Sequence, residues 1–438
     1  MQRRHFLGLL GVLGFGSAAA IYHFNLLRLF KYWPDNNRLF NSCLNSQLPS
    51  ELADHDVILS AQEGIDTTQM WDGHVHLLGM GDTDSGIWIN PQFLTLLKLN
   101  HYVRFRFYLN AACPTEGLSV DEGFITRLKS LRWGHSSRFV LLAFDYTYNE
   151  QGTRLPEQTA FYIPNEYAAL MRRQSPDTFE WLASIHPYRT DCVEALEQAV
   201  HDRARGVKWL PPAMGIDPAS ERCDRFYKAM AYWDIPLLCH CGEENAVHGA
   251  DSQAYGNPLR LRRALDQGVK VIIAHCASLG HNRDIDKGPN GPYMNNFELF
   301  TRMMDNPRYK GLLFGDISAI TQINRVYALK TLITRRDWHP RLLYGSDYPL
   351  PGIEPLISLK LLQEKQYITA EQAEVLTQVR EHNSLLFDFV LKRHLQVEGQ
   401  QFDPAVFHTR SLWTRVRSEQ QNGSQTDFHL NLEHSIMT

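Results

Sequence analysis

At 438 residues the chain is long enough to bury a large core, and 44% hydrophobic with 21% charged residues is a globular balance, not a disordered or fibrous one. A formal net charge of −4, with no block of like charge, excludes the basic footprint of a nucleic-acid binder. The 7 cysteines are scattered without C-x-x-C spacing, so neither a disulfide framework nor a zinc ribbon is expected.

The chain opens on MQRRHFLGLLGVLGFGSAAAIYHF. Arg3 and Arg4 precede a moderately apolar, Gly-rich run, and Ala18 to Ala20 offer small residues for cleavage. This is the pattern of a twin-arginine signal, or of an uncleaved anchor of bilayer-spanning length, within residues 1–30. It predicts recognition by the twin-arginine export machinery and a periplasmic protein, free or membrane-attached through its N-terminus. Residues 31–67 read as an irregular lead-in.

From residue 68 onward short apolar, β-rich runs alternate with helical stretches. The runs are QMWDGHVHL, YVRFRFYLN, RFVLLAFDYTY, FEWLASIHPYR, GVKWLPP, IPLLCHCGE, KVIIAHCASLG, GLLFGDISAI and RLLYGSDYPLPG. Strands alternating with helices such as DCVEALEQAVHDRA imply a parallel sheet, and nearly all-apolar runs imply strands buried on both faces. Nine runs stand where a (β/α)8 barrel needs eight, so one of the first few is an accessory strand or a helix. AEQAEVLTQVREHNSLLFDFVLKRHL resumes the 3.6-residue period as a closing helical pair. The α/β reading thus places a (β/α)8 TIM-type barrel with long active-site loops over 68–396 and a polar, partly disordered tail over 397–438.

Chemistry collects at the ends of these runs. WDGHVH places Asp72, His74 and His76 at alternate positions, so in a regular strand all three share one face. Alone an H-x-H is weak, because the histidine content yields about one by chance. A lone His in AHC or an Asp in GSDYP is most simply a core residue or a turn cap. Together they resist that reading, because His240, His275 and Asp347 each close a separate strand and Lys208 lies near the end of another. In a barrel those ends meet at one mouth.

The ordered set DGHVH, CHCGE, AHC, GSDYP resembles the metal-dependent amidohydrolase superfamily, specifically its amidohydrolase-2 branch, over roughly residues 70–385. The resemblance implies a (β/α)8 barrel with His74, His76, His240 and Asp347 as metal ligands and His275 as acid/base, electrophile or further ligand. The loops TYNEQGTRLPEQTAFYIPNEY and GHNRDIDKGPNGPYMNNF depart from it, which leaves the substrate open.

The chemistry is coherent without the family. Neutral imidazoles and one carboxylate hold a divalent ion, here expected to be zinc, with a position left for water. Such an ion lowers the pKa of water towards ~7. Asp347 accepts the proton of the attacking water, and His275 polarises the scissile carbonyl. Asp72 is either a carboxylate orienting a ligand imidazole or a plain strand-end hydrogen bond. Lys208 is either a carbamate bridging two metals, or, with one metal, a contact to substrate or to an acid such as Asp217. Glu243, Glu244, His248, Arg189 and Arg283 are weaker candidates for meeting substrate, with solvated surface as the alternative. The expectation is an exported hydrolase cleaving a C–N or C–O bond of a small molecule, with homo-oligomers among its possible assemblies. A decarboxylase using the same metal site on an aromatic or unsaturated acid is the first alternative, and a non-catalytic binding barrel the second.

Overall fold

The computed structural model describes residues 40–414 apart from 96–98, 135, 248 and 251. The signal, the first part of the lead-in, His248 and the tail from 415 therefore lie outside the described residues. Eight parallel strands organise the rest: β1 (Trp71–His76), β2 (Arg138–Leu142), β3 (Phe179–Leu182), β4 (Val207–Trp209), β5 (Leu237–His240), β6 (Val271–Ala274), β7 (Leu313–Asp316) and β8 (Leu342–Leu343). One ladder joins β1, β2 and β3 in chain order, and a second joins β4 through β8.

Two seams close the ring. Ala183, just past β3, donates to Gly206 O at 2.9 Å and accepts from Lys208 N at 2.7 Å. Past β8, Tyr344 O accepts from Gly73 N at 3.2 Å, Tyr348 O from His76 N at 3.0 Å, and Asp347 N donates to His74 O at 2.9 Å. Every strand is thus bonded to a neighbour on each side, and the expected (β/α)8 barrel is closed.

The ninth run, YVRFRFYLN, is the surplus one. It lies within the helix Leu99–Ala112. Its aromatic and β-branched content favours a strand, but a closed barrel offers it no edge to pair with, and tertiary context overrides the propensity. The helix crosses the carboxyl ends of the strands, where Arg104 Nη1 donates to Asn245 O at 2.6 Å and Ala112 O accepts from Tyr348 Oη at 2.8 Å. The closing pair is present as Ala370–His382 and Ser384–His394, separated at Asn383, which caps the second helix.

The barrel interior is filled by Trp71, Val140, Leu142, Leu182, Leu238, Ile272, Ala274 and Leu343, together with Leu412 and Trp413. The last two correct the boundary of the tail. Residues Arg410–Trp413 form a helical turn that plugs the amino end of the barrel, and an added Cβ on Gly73 would lie 2.9 Å from Trp413 Cζ2. Glycine at 73 is required by that approach. The lead-in is also more ordered than expected: helices Ser50–Ala53 and Asp56–Ala61 bury Leu52, Val57, Ile58 and Ala61, and Val57 O accepts from His394 Nε2 at 2.6 Å. A disulfide between Cys43 and Cys113, 70 residues apart, corrects the expectation of no disulfide. It ties the lead-in to the end of the helix over the mouth. No helix among the described residues is long and apolar enough to cross a membrane.

Candidate metal centre

The strand ends converge as the barrel requires. His74 and His76 end β1, His240 ends β5, His275 follows β6, Asp316 ends β7 and Asp347 follows β8. Regular alternation does not deliver them. The register of β1 against β2 shifts between Asp72 and Val75. Gly73 faces Trp413 inside the barrel, yet His74 also faces inward, with Nε2 3.0 Å from Lys208 Nζ. The bulge turns two successive residues to the same side and leaves Asp72 on the opposite face, so the expectation that all three polar residues share a face is corrected. Asp72 Oδ1 accepts from His74 N at 3.2 Å and Ser346 N at 2.8 Å, clamping β1 to the loop after β8. Burial raises its carboxyl to about 7.

The ligand atoms of His74, His275 and Asp347 lie within 4.8 Å of one another. His76 Nε2 joins them 3.1 Å from Asp347 Oδ1, and His74 Nε2 lies 3.3 Å from the same oxygen. His275 Nε2 is 3.7 Å from Asp347 Oδ2. The His240 ring stands 5.3 Å from that of His275, and its Nε2 is buried without a hydrogen-bond partner, 3.4 Å from Glu244 Oε2.

Behind the imidazoles runs a supporting shell. His74 Nδ1 is 2.8 Å from Asp316 Oδ2, and His275 Nδ1 is 2.7 Å from Ser318 Oγ. Asp316 Oδ1 accepts from His275 N at 2.7 Å, from Ser318 N at 3.1 Å and from the Ser318 hydroxyl. With Nδ1 engaged, each ring turns Nε2 toward Asp347, the arrangement that fixes tautomer and orientation in metal-binding histidines.

Protonation states match. Burial pushes His76 and His275 down to about 4 and about 3, and His240 well below its ordinary range. Burial works to raise Asp347 and Asp316, but neighbouring imidazoles outweigh it: His275, His74 and His76 act on Asp347, and His74 and His275 on Asp316. Both carboxyls sit below the usual range. Neutral His76, His240 and His275 beside the ionised Asp347 and Asp316 are in the donor states a divalent cation needs. His275 and Asp347 also hold left-handed backbone angles, φ 55° and 63°. For non-glycine residues this costs about 1–3 kcal/mol each and persists where surrounding bonds over-determine it.

Asp316 and Ser318 were not singled out in the sequence. The signal was available, since GLLFGD ends a predicted strand on an acid as the neighbouring runs end on His or Asp. Among the weaker candidates, Glu244 is buried beside His240, whereas Arg189 pairs with Asp145 and Asp191 in the loop wall. Arg283 stacks over Tyr293. Asp217 is no partner for Lys208, because Arg260 Nη1 holds both its oxygens at 2.8 Å.

The sequence model of one family, described as Amidohydrolase (Amidohydro_2), matches residues 149–385, more than half of the chain. The chain belongs to the amidohydrolase family. No curated protein matches it. Solved structures similar to this amidohydrolase include an uncharacterised TIM-barrel protein from Bordetella bronchiseptica, with 16% identity and a TM-score of 0.42 over 71% of this chain and 99% of that one. A protein described as a probable 2-pyrone-4,6-dicarboxylic acid hydrolase from Acinetobacter baumannii has 14% identity and a TM-score of 0.38, over 70% and 95% of the two chains. A 2,6-dihydroxybenzoate decarboxylase from Rhizobium has 13% identity and a TM-score of 0.32, over 51% and 76%. The family is metal-dependent, and the cluster of His74, His275 and Asp347 could hold such an ion.

Proposed function

We propose that this amidohydrolase is an exported metal-dependent hydrolase that cleaves an amide, lactone or ester bond of a small molecule at the barrel mouth. The observation that carries the reading is the set of inward-turned imidazole Nε2 atoms around the ionised Asp347, each backed by a fixed partner where Nδ1 is engaged. Zinc suits an imidazole-rich set with one carboxylate, and His74, His76, His240 and Asp347 are its proposed ligands. The unpartnered, buried Nε2 of His240 supports its place in that set. When bound, the ion supplies Lewis acidity and lowers the pKa of water towards ~7.

The chain's own groups do the rest. Asp347, held ionised, takes the proton of the attacking water and returns it to the leaving group. His275 is held by Ser318 with Nε2 3.7 Å from Asp347 Oδ2, so it can polarise the scissile carbonyl and exchange a proton with Asp347. Asp316 keeps His74 in the tautomer whose lone pair is on Nε2, the atom that faces Lys208 Nζ at 3.0 Å. Export is supported by the Arg3–Arg4 signal and by the Cys43–Cys113 disulfide, a bond that persists in oxidising compartments.

The test is turnover of the zinc-loaded protein on a panel of amides, lactones, esters and aromatic carboxylates, run beside His240→Ala and His275→Ala. Hydrolysis by the wild type, metal lost in His240→Ala, and metal kept with activity lost in His275→Ala support the reading. Carbon dioxide release in place of hydrolysis makes the protein a decarboxylase. Metal retained by His240→Ala and lost by His275→Ala exchanges the two roles.

A further inference from the structure

Lys392, in the closing helix Ser384–His394, carries its ammonium into an enclosed position and is 0% exposed. Its Nζ donates to Asp388 Oδ2 at 2.7 Å and to Gly345 O at 2.8 Å. Asp388, also buried, stands one turn earlier on the same helix. Taking such a pair out of water is costly, and well-packed apolar residues of the same volume often match its stability. Stability is therefore a weak reason for a charge at this place, and what the charge touches matters more.

Gly345 lies between β8 and Asp347, where the backbone sits close against β1: a Cβ at 345 would lie 2.8 Å from His74 Cβ. The peptide unit joining Gly345 to Ser346 is gripped on both edges. Its carbonyl accepts from Lys392 Nζ at 2.8 Å, on the side of the closing helix, and its N–H donates to Asp72 Oδ1 at 2.8 Å, on the side of β1. In a trans peptide these two groups point in opposite directions, so the two side chains together fix the rotation of the plane. Asp347 is the next residue. Its N donates to His74 O at 2.9 Å and its φ is 63°, a conformation that persists only while its surroundings over-determine it.

We propose that Lys392 is a positioning residue for Asp347, acting through the carbonyl of Gly345. With Asp72 it clamps the peptide plane from which the Asp347 backbone continues, and Asp388 supplies the countercharge that keeps the ammonium aimed. Gly345 is buried, so its carbonyl without Lys392 has to turn in search of another donor. That rotation carries the Asp347 carboxylate away from His74 Nε2 and His76 Nε2, which lie 3.3 and 3.1 Å from Oδ1. The effect is thus expected at the metal centre, although Lys392 belongs to an outer helix and touches no proposed ligand. The proposal rests on the reading of Asp347 as a metal ligand, and its test needs no turnover.

The test is zinc affinity of the full chain by chelator competition, together with the visible spectrum of the cobalt-loaded protein. Lys392→Met/Asp388→Leu exchanges the buried pair for apolar residues of similar size. It should melt close to the wild type, bind zinc about 10- to 100-fold more weakly and shift the cobalt bands, because the ligand geometry has changed. Lys392→Gln, which offers a neutral donor, should fall between the two. Asp388→Asn, which leaves the ammonium an acceptor on both sides, should hold zinc as the wild type does. A purely structural role would move the melting temperature and leave the cobalt spectrum of the folded protein unchanged. Three results overturn the proposal: wild-type zinc affinity and cobalt spectrum in the folded double variant or in Lys392→Gln; an Asp388→Asn protein that loses as much zinc affinity as the double variant; or failure of all three variants to fold. A wild type that takes up neither metal overturns the metal-centre reading along with this one, whereas tight metal binding indifferent to Lys392 overturns this one alone.

Discussion

Asp316→Asn removes one charge and almost no volume, and the structure says what it does to His74. The two carboxylate oxygens divide their work: Oδ1 takes His275 N, Ser318 N and the Ser318 hydroxyl, and Oδ2 takes His74 Nδ1 at 2.8 Å. An amide placed there keeps its single carbonyl where the three donors converge, so its NH2 faces His74 Nδ1. Nδ1 must then accept, which moves the ring proton to Nε2, the atom 3.3 Å from Asp347 Oδ1 and the one proposed to bind metal. One charge-assisted hydrogen bond, about 1.5–3 kcal/mol, is lost behind the ligand. At 1.4 kcal/mol per decade that is a fall of roughly 10- to 100-fold in metal affinity. The assay is zinc competition against a chromophoric chelator, with the thermal melt as a control for folding. Wild-type zinc affinity in a folded Asp316→Asn protein would refute the argument that Asp316 sets the tautomer of His74.

Gly73→Ala places a Cβ 2.9 Å from Trp413 Cζ2 and should cost about 1–3 kcal/mol in denaturant unfolding, with Trp413→Phe in the same chain recovering part of it; a neutral Gly73→Ala would show that the plug is loose. His186 is buried between Met214 O and Tyr188 N and pushed down to about 3 by burial, below its unfolded value near 6.5. Between those values the unfolded chain holds the extra proton, so stability is complete above pH 6.5 and falls on acidification toward pH 3, with a slope of about 1.4 kcal/mol per pH unit from this group. His186→Gln should flatten the profile by one proton, and an unchanged slope would contradict the assignment. Reducing the Cys43–Cys113 bond, which closes a 70-residue separation, should remove about 4 kcal/mol by chain entropy, read as a lower unfolding midpoint under reductant; a midpoint indifferent to reductant would mean the bond is absent in solution.

The barrel was legible because eight of nine apolar runs carry both-face burial in their composition, and the mouth was legible because strand ends in such a barrel must meet. What escaped reading depends on three-dimensional context. The bulge in WDGHVH has no local sequence mark except Gly73, whose reason lies 340 residues away in Trp413. Asp316 looks like any acid at a strand end until His74, from β1, is folded onto it. Leu412 and Trp413 sit in a polar stretch, TRSLWTRVRSE, whose apolar pair is too short to announce a buried turn. Cys43 and Cys113 lie in an irregular lead-in and at a helix end, with no spacing that links them.

The central claim is a metal ion held by strand-end imidazoles and Asp347, and metal content tests it most directly. The full chain, expressed with zinc supplied and then dialysed, should carry one equivalent of a divalent transition metal by plasma mass spectrometry, and His74→Ala should carry none while remaining folded. A wild-type protein without stoichiometric metal after loading with zinc, manganese or iron, or a His74→Ala variant that keeps its full equivalent, would contradict the account.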